Sequence, residues 1–176
     1  MKLSLFPILF VFASRSGYHF DIIRFTNKIY QIHGHYPLYN YEKKMDIFRY
    51  RSKARRKFKR IVFPKKSVED HHIIPKQFSN HPLIKETNFD ISCSKNILIM
   101  FSAYSRNFEN ELGVQSIYHE HGHRKYNEYV LGELNYIHEK YSNIEEKQYH
   151  LSLLLNYLTT KIMNKSMYNQ SDFPWN

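Results

Sequence analysis

Two short segments of this 176-residue chain hold six of its eleven histidines, and both constrain the fold. The first, "DHHIIPKQFSNHP", begins at Asp70 with an adjacent histidine pair, and the second, "YHEHGHRKYNEYV", begins at Tyr118. An adjacent pair suits an extended segment, where neighbouring side chains point to opposite faces. His119 and His123 are four residues apart, so a helix would bring both to one face. The pattern predicts a strand and a helix that meet at a shared histidine site.

The spacing of these histidines is suited to a metal ion. One histidine from the extended segment and two from the helical turn would offer three imidazoles to one divalent cation. Three protein ligands leave coordination positions open, which a catalytic metal requires. Cys93 is the only cysteine, so an intrachain disulfide and a structural zinc site with two or more cysteines are excluded. Histidine and carboxylate side chains must therefore hold any metal.

The remaining histidines have simpler interpretations. His121 would lie on a different helix face from His119 and His123, either beside the ligands or at the surface. His81 precedes a proline and is expected to shape a loop. Isolated histidines are more often structural or solvent-exposed than ligands, and we expect this of His33, His35, His138 and His150.

Hydrophobic periodicity predicts several helices and short strands, and the length suits one domain with an N-terminal extension. Apolar residues at helical spacing predict helices at residues 21–32, 41–59, from 119 or soon after to 141, and 144–163. Runs of β-branched and aromatic residues predict strands at 61–63 and 97–101, which pair with each other, and an extended segment at 71–74.

The N-terminal residues 1–16 have the composition of a signal peptide. Lys2 is followed by a short apolar run that ends in the small-residue stretch "ASRS". The run is too short to span a bilayer. A cleaved signal peptide would make the protein secreted, whereas a buried N-terminal strand or helix, the alternative, would leave it cytoplasmic.

Positive charge is concentrated in one segment of this chain, whose formal net charge is +10. Ten Lys or Arg and only two acidic residues lie between Tyr41 and Arg60. Such a segment attracts polyanions by counterion release, and nucleic acid is the commonest of these partners. The alternatives are a solvated charged helix and a targeting signal. The candidates for nucleic-acid contacts in this segment are Arg55, Arg56, Lys57, Lys59 and Arg60.

The two histidine segments together resemble the His-Me finger (ββα-metal, HNH) nucleases, in particular the subgroup with an AHH motif. The resemblance covers about residues 68–134 and consists of four parts in order. These are His-His-Ile-Ile-Pro, a later His-Pro, an Asn before an apolar strand, and "HxxxH" followed by Lys-Tyr-Asn. The resemblance implies an α+β fold, a mostly helical domain around a β-hairpin and a metal-binding helix.

On that resemblance the chain divides into four parts. Residues 17–60 would form a helical, basic N-terminal part after the signal peptide, 61–141 the nuclease core, and 142–176 a C-terminal helix and tail.

The resemblance also implies a role for each site residue. His71, His119 and His123 would bind the metal, and His72 would be the general base that takes a proton from water. Asn96 would hold the loop between the strands and so orient the base. Asp70 stands where the subgroup usually has alanine, and it would be either an extra ligand or a carboxylate that orients a histidine. Arg124 or Arg106 would contact the scissile phosphate.

The sequence therefore favours a metal-dependent endonuclease that cleaves DNA, more than RNA, without sequence specificity. One divalent ion, Mg²⁺, Mn²⁺, Zn²⁺ or Ni²⁺, is the expected cofactor. No membrane partner is expected, and an inhibitor or immunity protein would be the partner if the protein is a toxin. The alternative from another class is a noncatalytic nucleic-acid-binding protein with a structural metal site. A zinc hydrolase of peptides is disfavoured because it would not explain the basic segment between Tyr41 and Arg60.

Overall fold

The computed structural model describes residues 46–63, 66–108, 119 and 123–168. The signal peptide, the helix at 21–32, most of the C-terminal tail and four histidines (His19, His33, His35 and His121) lie outside these residues. The described part has the predicted α+β architecture, a two-stranded antiparallel sheet among helices. Its helices and strands are α1 (Lys53–Val62), β1 (Val68–His72), α2 (Pro82–Glu86), β2 (Ile97–Phe101), α3 (Arg124–Lys140) and α4 (Ile144–Tyr168), with 3-10 turns at Lys76–Asn80, Ser94–Asn96 and Ala103–Phe108.

Helix α1 begins later and ends later than the sequence predicts. Ser52 caps it, because its hydroxyl accepts a hydrogen bond from the Arg55 backbone N–H at 3.1 Å. The prediction of helix over residues 46–52 is wrong, since the chain forms turns there. The predicted strand at 61–63 is also wrong, because α1 continues to Val62. Val62 packs on a small apolar cluster at the hairpin, and this tertiary contact outweighs its preference for strands.

Strands β1 and β2 pair in an antiparallel register that places Val68 opposite Phe101 and His72 opposite Ile97. The predicted bounds of the second strand, 97–101, are confirmed. Its partner is β1, however, and not the predicted strand at 61–63. The prediction of an extended segment at 71–74 is right only for its first two residues, which end β1.

The hairpin is covered on both faces. On one face, Leu98 and Met100 join the main core, which includes Tyr126 and Val130 of α3 and Leu151 of α4. On the other face, Ile99 and Phe101 form a smaller cluster with Phe58, Val62 and Phe63. All five residues of β2 are therefore buried, which explains why it reads as a continuous apolar run.

The two C-terminal helices pack together and complete the main core. Helix α3 begins at Arg124, later than predicted, and α4 runs to Tyr168, beyond the predicted residue 163. The side-chain oxygen of Asn143 caps α4 by accepting from the Glu145 N–H at 2.8 Å, as predicted. The predicted apolar stripe of α4 is buried and consists of Leu151, Leu154, Leu155 and Leu158. Among the described helices, none combines the length and hydropathy needed to cross a membrane.

Candidate active site

Three histidines from separate parts of the chain meet beside the hairpin. One potential ligand atom from each of His71, His119 and His123 lies within 4.8 Å of the other two. The ring centres form a nearly equilateral triangle, with 5.4 Å between His71 and His119 and 5.5 Å on the other two sides. Imidazoles that share one tetrahedral ion at about 2.1 Å have ring centres about 5 Å apart. The arrangement therefore has the dimensions of a three-histidine metal site.

Each of these histidines is positioned differently. His71 lies on β1 and is buried. His119 forms a parallel bridge with Ser102, and its backbone N–H donates to the Phe101 carbonyl at 2.7 Å, so it is fixed to the end of β2. His123 is the N-cap residue of α3. The prediction that His119 and His123 share a helical face is wrong, because both precede the helix, although the structure still brings them together.

A carboxylate from the same strand face as His71 orients His119. Glu69 lies two residues before His71, so both side chains leave β1 on one face. Its Oε2 lies 2.8 Å from Nδ1 of His119. This contact occupies Nδ1 and leaves Nε2 as the nitrogen of His119 that can bind a metal. A carboxylate on the far nitrogen also increases the basicity of a ligating imidazole.

The electrostatic setting keeps His71 neutral. Burial lowers its pKa well below the usual value, and the nearby His119, His123 and His72 lower it further. A neutral imidazole has a lone pair to offer, whereas a protonated one repels a cation. The donor set thus fits a divalent metal in its distances, and His71 also fits it in its protonation state.

His72 follows His71 directly but points to the opposite face of the hairpin, as adjacent strand residues must. Its ring packs edge-on against Tyr50, with ring centres 4.4 Å apart and planes at 69°. Burial is the main cause that lowers the pKa of His72 to about 4; Lys76 also lowers it, and Asp70 raises it. The ring is therefore neutral at pH 7 and can accept a proton. Nε2 of His72 is buried and has no hydrogen-bond partner among the described residues.

Asn96 joins the two ends of the hairpin loop. Its side-chain oxygen accepts from the Ile74 N–H at 2.7 Å, and its amide nitrogen donates to the carbonyls of Ile74 and Ile91 at 3.1 and 2.8 Å. Its backbone carbonyl accepts from the Ile73 N–H at 2.9 Å. The residue is fully buried, so these bonds satisfy polar groups that water cannot reach. Asn96 thus holds the chain that follows His72.

Asp70 does not join the three histidines. It lies on the opposite strand face from His71, and its two oxygens bind Arg55 Nε at 2.9 Å and Lys59 Nζ at 3.0 Å. Because both of its oxygens bind cations of α1, Asp70 is not a candidate metal ligand. Its charge lies near His72, whose pKa it raises.

The predicted nucleic-acid contacts divide between two faces of α1. Arg55 is 1% exposed and its guanidinium also donates to the Ile97 and Phe48 carbonyls at 3.4 Å, so its prediction as a nucleic-acid contact is wrong. Lys59 faces inward with it, bound to Asp70. The outer face carries four exposed cations at helical spacing, which are Lys53, Arg56, Lys57 and Arg60.

Arg124 lies next to His123 at the start of α3 and is 88% exposed at its side chain. Its guanidinium binds Glu128 on the next turn at 2.7 Å. The pair is solvent-exposed, so it costs little to break. The side chain of Arg106 lies outside the described residues.

Three residues near this site escaped the sequence analysis. Glu69 could have been found, because it precedes His71 by the two-residue period of a strand. Tyr126 packs against His71, with ring centres 5.6 Å apart, and its hydroxyl donates to the Ile73 carbonyl. Tyr50 contacts His72 from a segment that was predicted to be helical. Only long-range contacts reveal the last two.

Comparison with protein-family models identifies a family. A family model described as AHH, a nuclease family of the HNH/ENDO VII superfamily with conserved AHH, matches residues 52–162. The match includes both strands, all three clustered histidines and most of α4. Searches of curated proteins and of solved structures found no match.

Proposed function

Because the chain belongs to the AHH family of nucleases in the HNH/ENDO VII superfamily, we propose that it is a metal-dependent endonuclease that cleaves DNA without sequence specificity. The observation that carries the proposal is the histidine constellation. The imidazoles of His71, His119 and His123 converge at metal-binding distance on one side of β1. His72, the residue after His71, offers a neutral fourth imidazole on the other side. A nuclease of this kind needs these two components, a cation site and a proton acceptor.

The metal would be held by His71, His119 and His123. Nucleases of this superfamily typically use a divalent ion, and the histidine cluster offers it three nitrogen ligands. When bound, such an ion would offset the negative charge that develops on the scissile phosphate and on the departing 3′ oxygen. The contact between Glu69 and Nδ1 fixes the ring of His119 and leaves its Nε2 for the site that it shares with His71 and His123.

His72 is proposed as the general base. Its neutral ring accepts a proton from water as the water oxygen forms a bond to phosphorus. The bond from phosphorus to the 3′ oxygen then breaks, that oxygen takes up a proton from solvent, and His72 returns its proton to solvent, so the products carry a 5′ phosphate and a 3′ hydroxyl. Asn96 supports this step indirectly, because it fixes the two residues that follow the base.

The outer face of α1 is proposed to contact DNA away from the scissile bond. Its four cations, Lys53, Arg56, Lys57 and Arg60, are all exposed and point away from the hairpin. They would meet phosphates rather than base edges, which matches binding without sequence specificity. Arg124 is the proposed contact nearest to the metal ligands.

Plasmid cleavage with a panel of metals tests the proposal. We expect the protein to nick and linearise plasmid with Mg²⁺, Mn²⁺, Zn²⁺ or Ni²⁺, and to lose this activity when a chelator is added. His72→Ala should lower the cleavage rate by a hundredfold to ten-thousandfold, roughly the contribution of a general base. Its thermal stability and metal binding should match those of the wild type.

Three results would each contradict a part of the proposal. Plasmid that shifts in a gel but stays intact with every metal would favour a noncatalytic DNA-binding protein with a structural metal. Cleavage of RNA but not of DNA would correct the substrate while retaining the chemistry. Normal cleavage by His72→Ala would remove His72 from the role of base.

A further inference from the structure

The segment that precedes α1 forms one wall of the candidate site. Residues 46–51 lie just outside the family match, which begins at Ser52. Three contacts fix this segment to the loop before β2. Asp46 Oδ2 accepts from the Ser94 N–H at 2.6 Å, the Tyr50 N–H donates to the Ser92 carbonyl at 2.9 Å, and Arg49 pairs with Asp90 at 3.0 Å. The segment therefore holds a defined position beside the hairpin.

This anchoring places the ring of Tyr50 against the ring of His72. The ring centres are 4.4 Å apart in an edge-to-face arrangement, and Tyr50 is half-buried. Aromatic pairs of this geometry restrict the orientation of both rings. Among the described residues, Tyr50 is the only one whose ring pairs with the imidazole of His72. The rings of His71, His119 and His123 pair with one another.

The side chain of Arg51 lies over the ring of Tyr50. The carbon of its guanidinium lies 5.2 Å from the centre of the Tyr50 ring. Its backbone has a φ of 60°, in the left-handed region that glycine adopts readily and arginine does not. Strained residues of this kind cluster at functional sites. The residue is exposed, and among the described carboxylates none forms an ion pair with it.

A second exposed cation, Lys76, lies four residues after His72 in the chain. Arg51 carries positive charge over the ring that packs against His72. A phosphodiester strand is the anion that a nuclease must hold beside its base.

We propose that Tyr50 and Arg51 form a substrate-binding wall beside His72, in which Tyr50 positions the imidazole and Arg51 binds a phosphate that flanks the scissile bond. The inference rests on the proposed function. It adds two residues that lie outside the family match, and it assigns the substrate contact to the backbone phosphate. Tyr50 is a positioning residue, because it acts through His72.

Substitutions of Arg51 give the sharpest test. With an oligonucleotide duplex as substrate, Arg51→Gln should raise KM about tenfold, the value of one charge-assisted hydrogen bond, and leave kcat nearly unchanged. The slope of log affinity against log salt should fall by about 0.9, as expected for one lost phosphate contact. Arg51→Gly should raise KM equally while melting at the same or a higher temperature, because glycine relieves the strained backbone.

The matched control is Lys140→Gln, which also removes one exposed cation. Lys140 ends α3, about 25 Å along the helix from His123. It should leave KM and the salt slope as in the wild type. If Arg51→Gln and Lys140→Gln behave alike, or if Arg51→Gly binds substrate as tightly as the wild type, the phosphate contact is wrong.

Tyr50 is tested by a conservative and a drastic change. Tyr50→Phe keeps the ring and should retain kcat, whereas Tyr50→Ala should lower kcat about tenfold with little change in KM. Tyr50→Leu, which keeps apolar volume without the ring, replaces Tyr50→Ala if that variant fails to fold, and should lower kcat similarly. A wild-type kcat in a folded variant without the ring would overturn the positioning role.

Failure of this inference differs from failure of the proposed function. If the wild type cleaves no nucleic acid with any metal, the nuclease proposal fails and these variants have no rates to compare. If the wild type cleaves and the Arg51 and Tyr50 variants match it, only the substrate-binding wall is rejected.

Discussion

The two faces of the hairpin differ in both packing and chemistry. One face carries Glu69 and His71, lies against the main core and joins the cluster of imidazoles. The other carries Asp70 and His72 and lies against α1, where Asp70 forms a buried ion pair with Arg55. Neighbours in sequence thus serve separate functions, because a strand sends consecutive side chains to opposite sides.

This difference shows why the adjacent histidines are not interchangeable. His71 is fully buried among groups that can share an ion, while His72 is half-buried beside Tyr50 and Lys76. An imidazole bound to a metal has no lone pair left for a proton. The separation by one peptide unit keeps a metal ligand and a proton acceptor close together without competition between them.

The largest expected effect is a loss of metal binding, which we expect for a substitution on the imidazole face and not for one on the α1 face. His71→Ala should abolish both cleavage and measurable binding of Zn²⁺ or Ni²⁺ in titration calorimetry, because one of three imidazoles is lost. His72→Ala should lower the cleavage rate by about a hundredfold to ten-thousandfold and leave metal binding intact. If both variants bind metal equally well, the assignment of the two faces is wrong.

The ion pair on the α1 face should affect stability. Asp70→Ala leaves the buried guanidinium of Arg55 without its carboxylate and should lower the free energy of unfolding by about 3–5 kcal/mol. Urea denaturation measures this loss. The double variant Asp70→Ala/Arg55→Met should recover most of it, since no buried charge remains unpaired.

A result in which Asp70→Ala is as stable as the wild type would show that Arg55 finds another partner. Metal binding gives the matching control, because Asp70 lies on the far face from the imidazoles. We expect Asp70→Ala to bind metal as the wild type does, and weakened binding would return Asp70 to the list of ligands.

A smaller effect is expected on the imidazole face. Glu69→Ala removes the carboxylate that orients His119 and should weaken metal binding about tenfold to a hundredfold. Glu69→Gln should weaken it less, because the amide oxygen can still accept from the ring. Glu128→Gln, which alters an exposed carboxylate bound to Arg124, serves as the control and should leave metal affinity unchanged.

The sequence predicts much of this structure where the determining contacts are local. The bounds of β2 follow from a buried apolar run, and the cap and stripe of α4 follow from Asn143 and the spaced leucines. The metal candidates His71, His119 and His123 follow from the motif, and the structure brings them together. Their roles remain predictions.

Long-range contacts explain what the sequence did not predict. His119 is held by a backbone bond to Phe101 and not by a helix, and no local pattern signals this. In the sequence, Arg55 is one of many cations. Only its contact with Asp70, fifteen residues along the chain, distinguishes it from the others. Tyr50 gains its place because neighbouring residues bind the loop before β2.

The register of the hairpin carries a further consequence for mutation. A slip of one residue in β1 would exchange every side chain between the two faces. His72 would then face His119 and His123, and His71 would lie beside Tyr50. Insertions or deletions within Val68–His72 should therefore be far more harmful than lengthening of the surface loops, even when every histidine is retained.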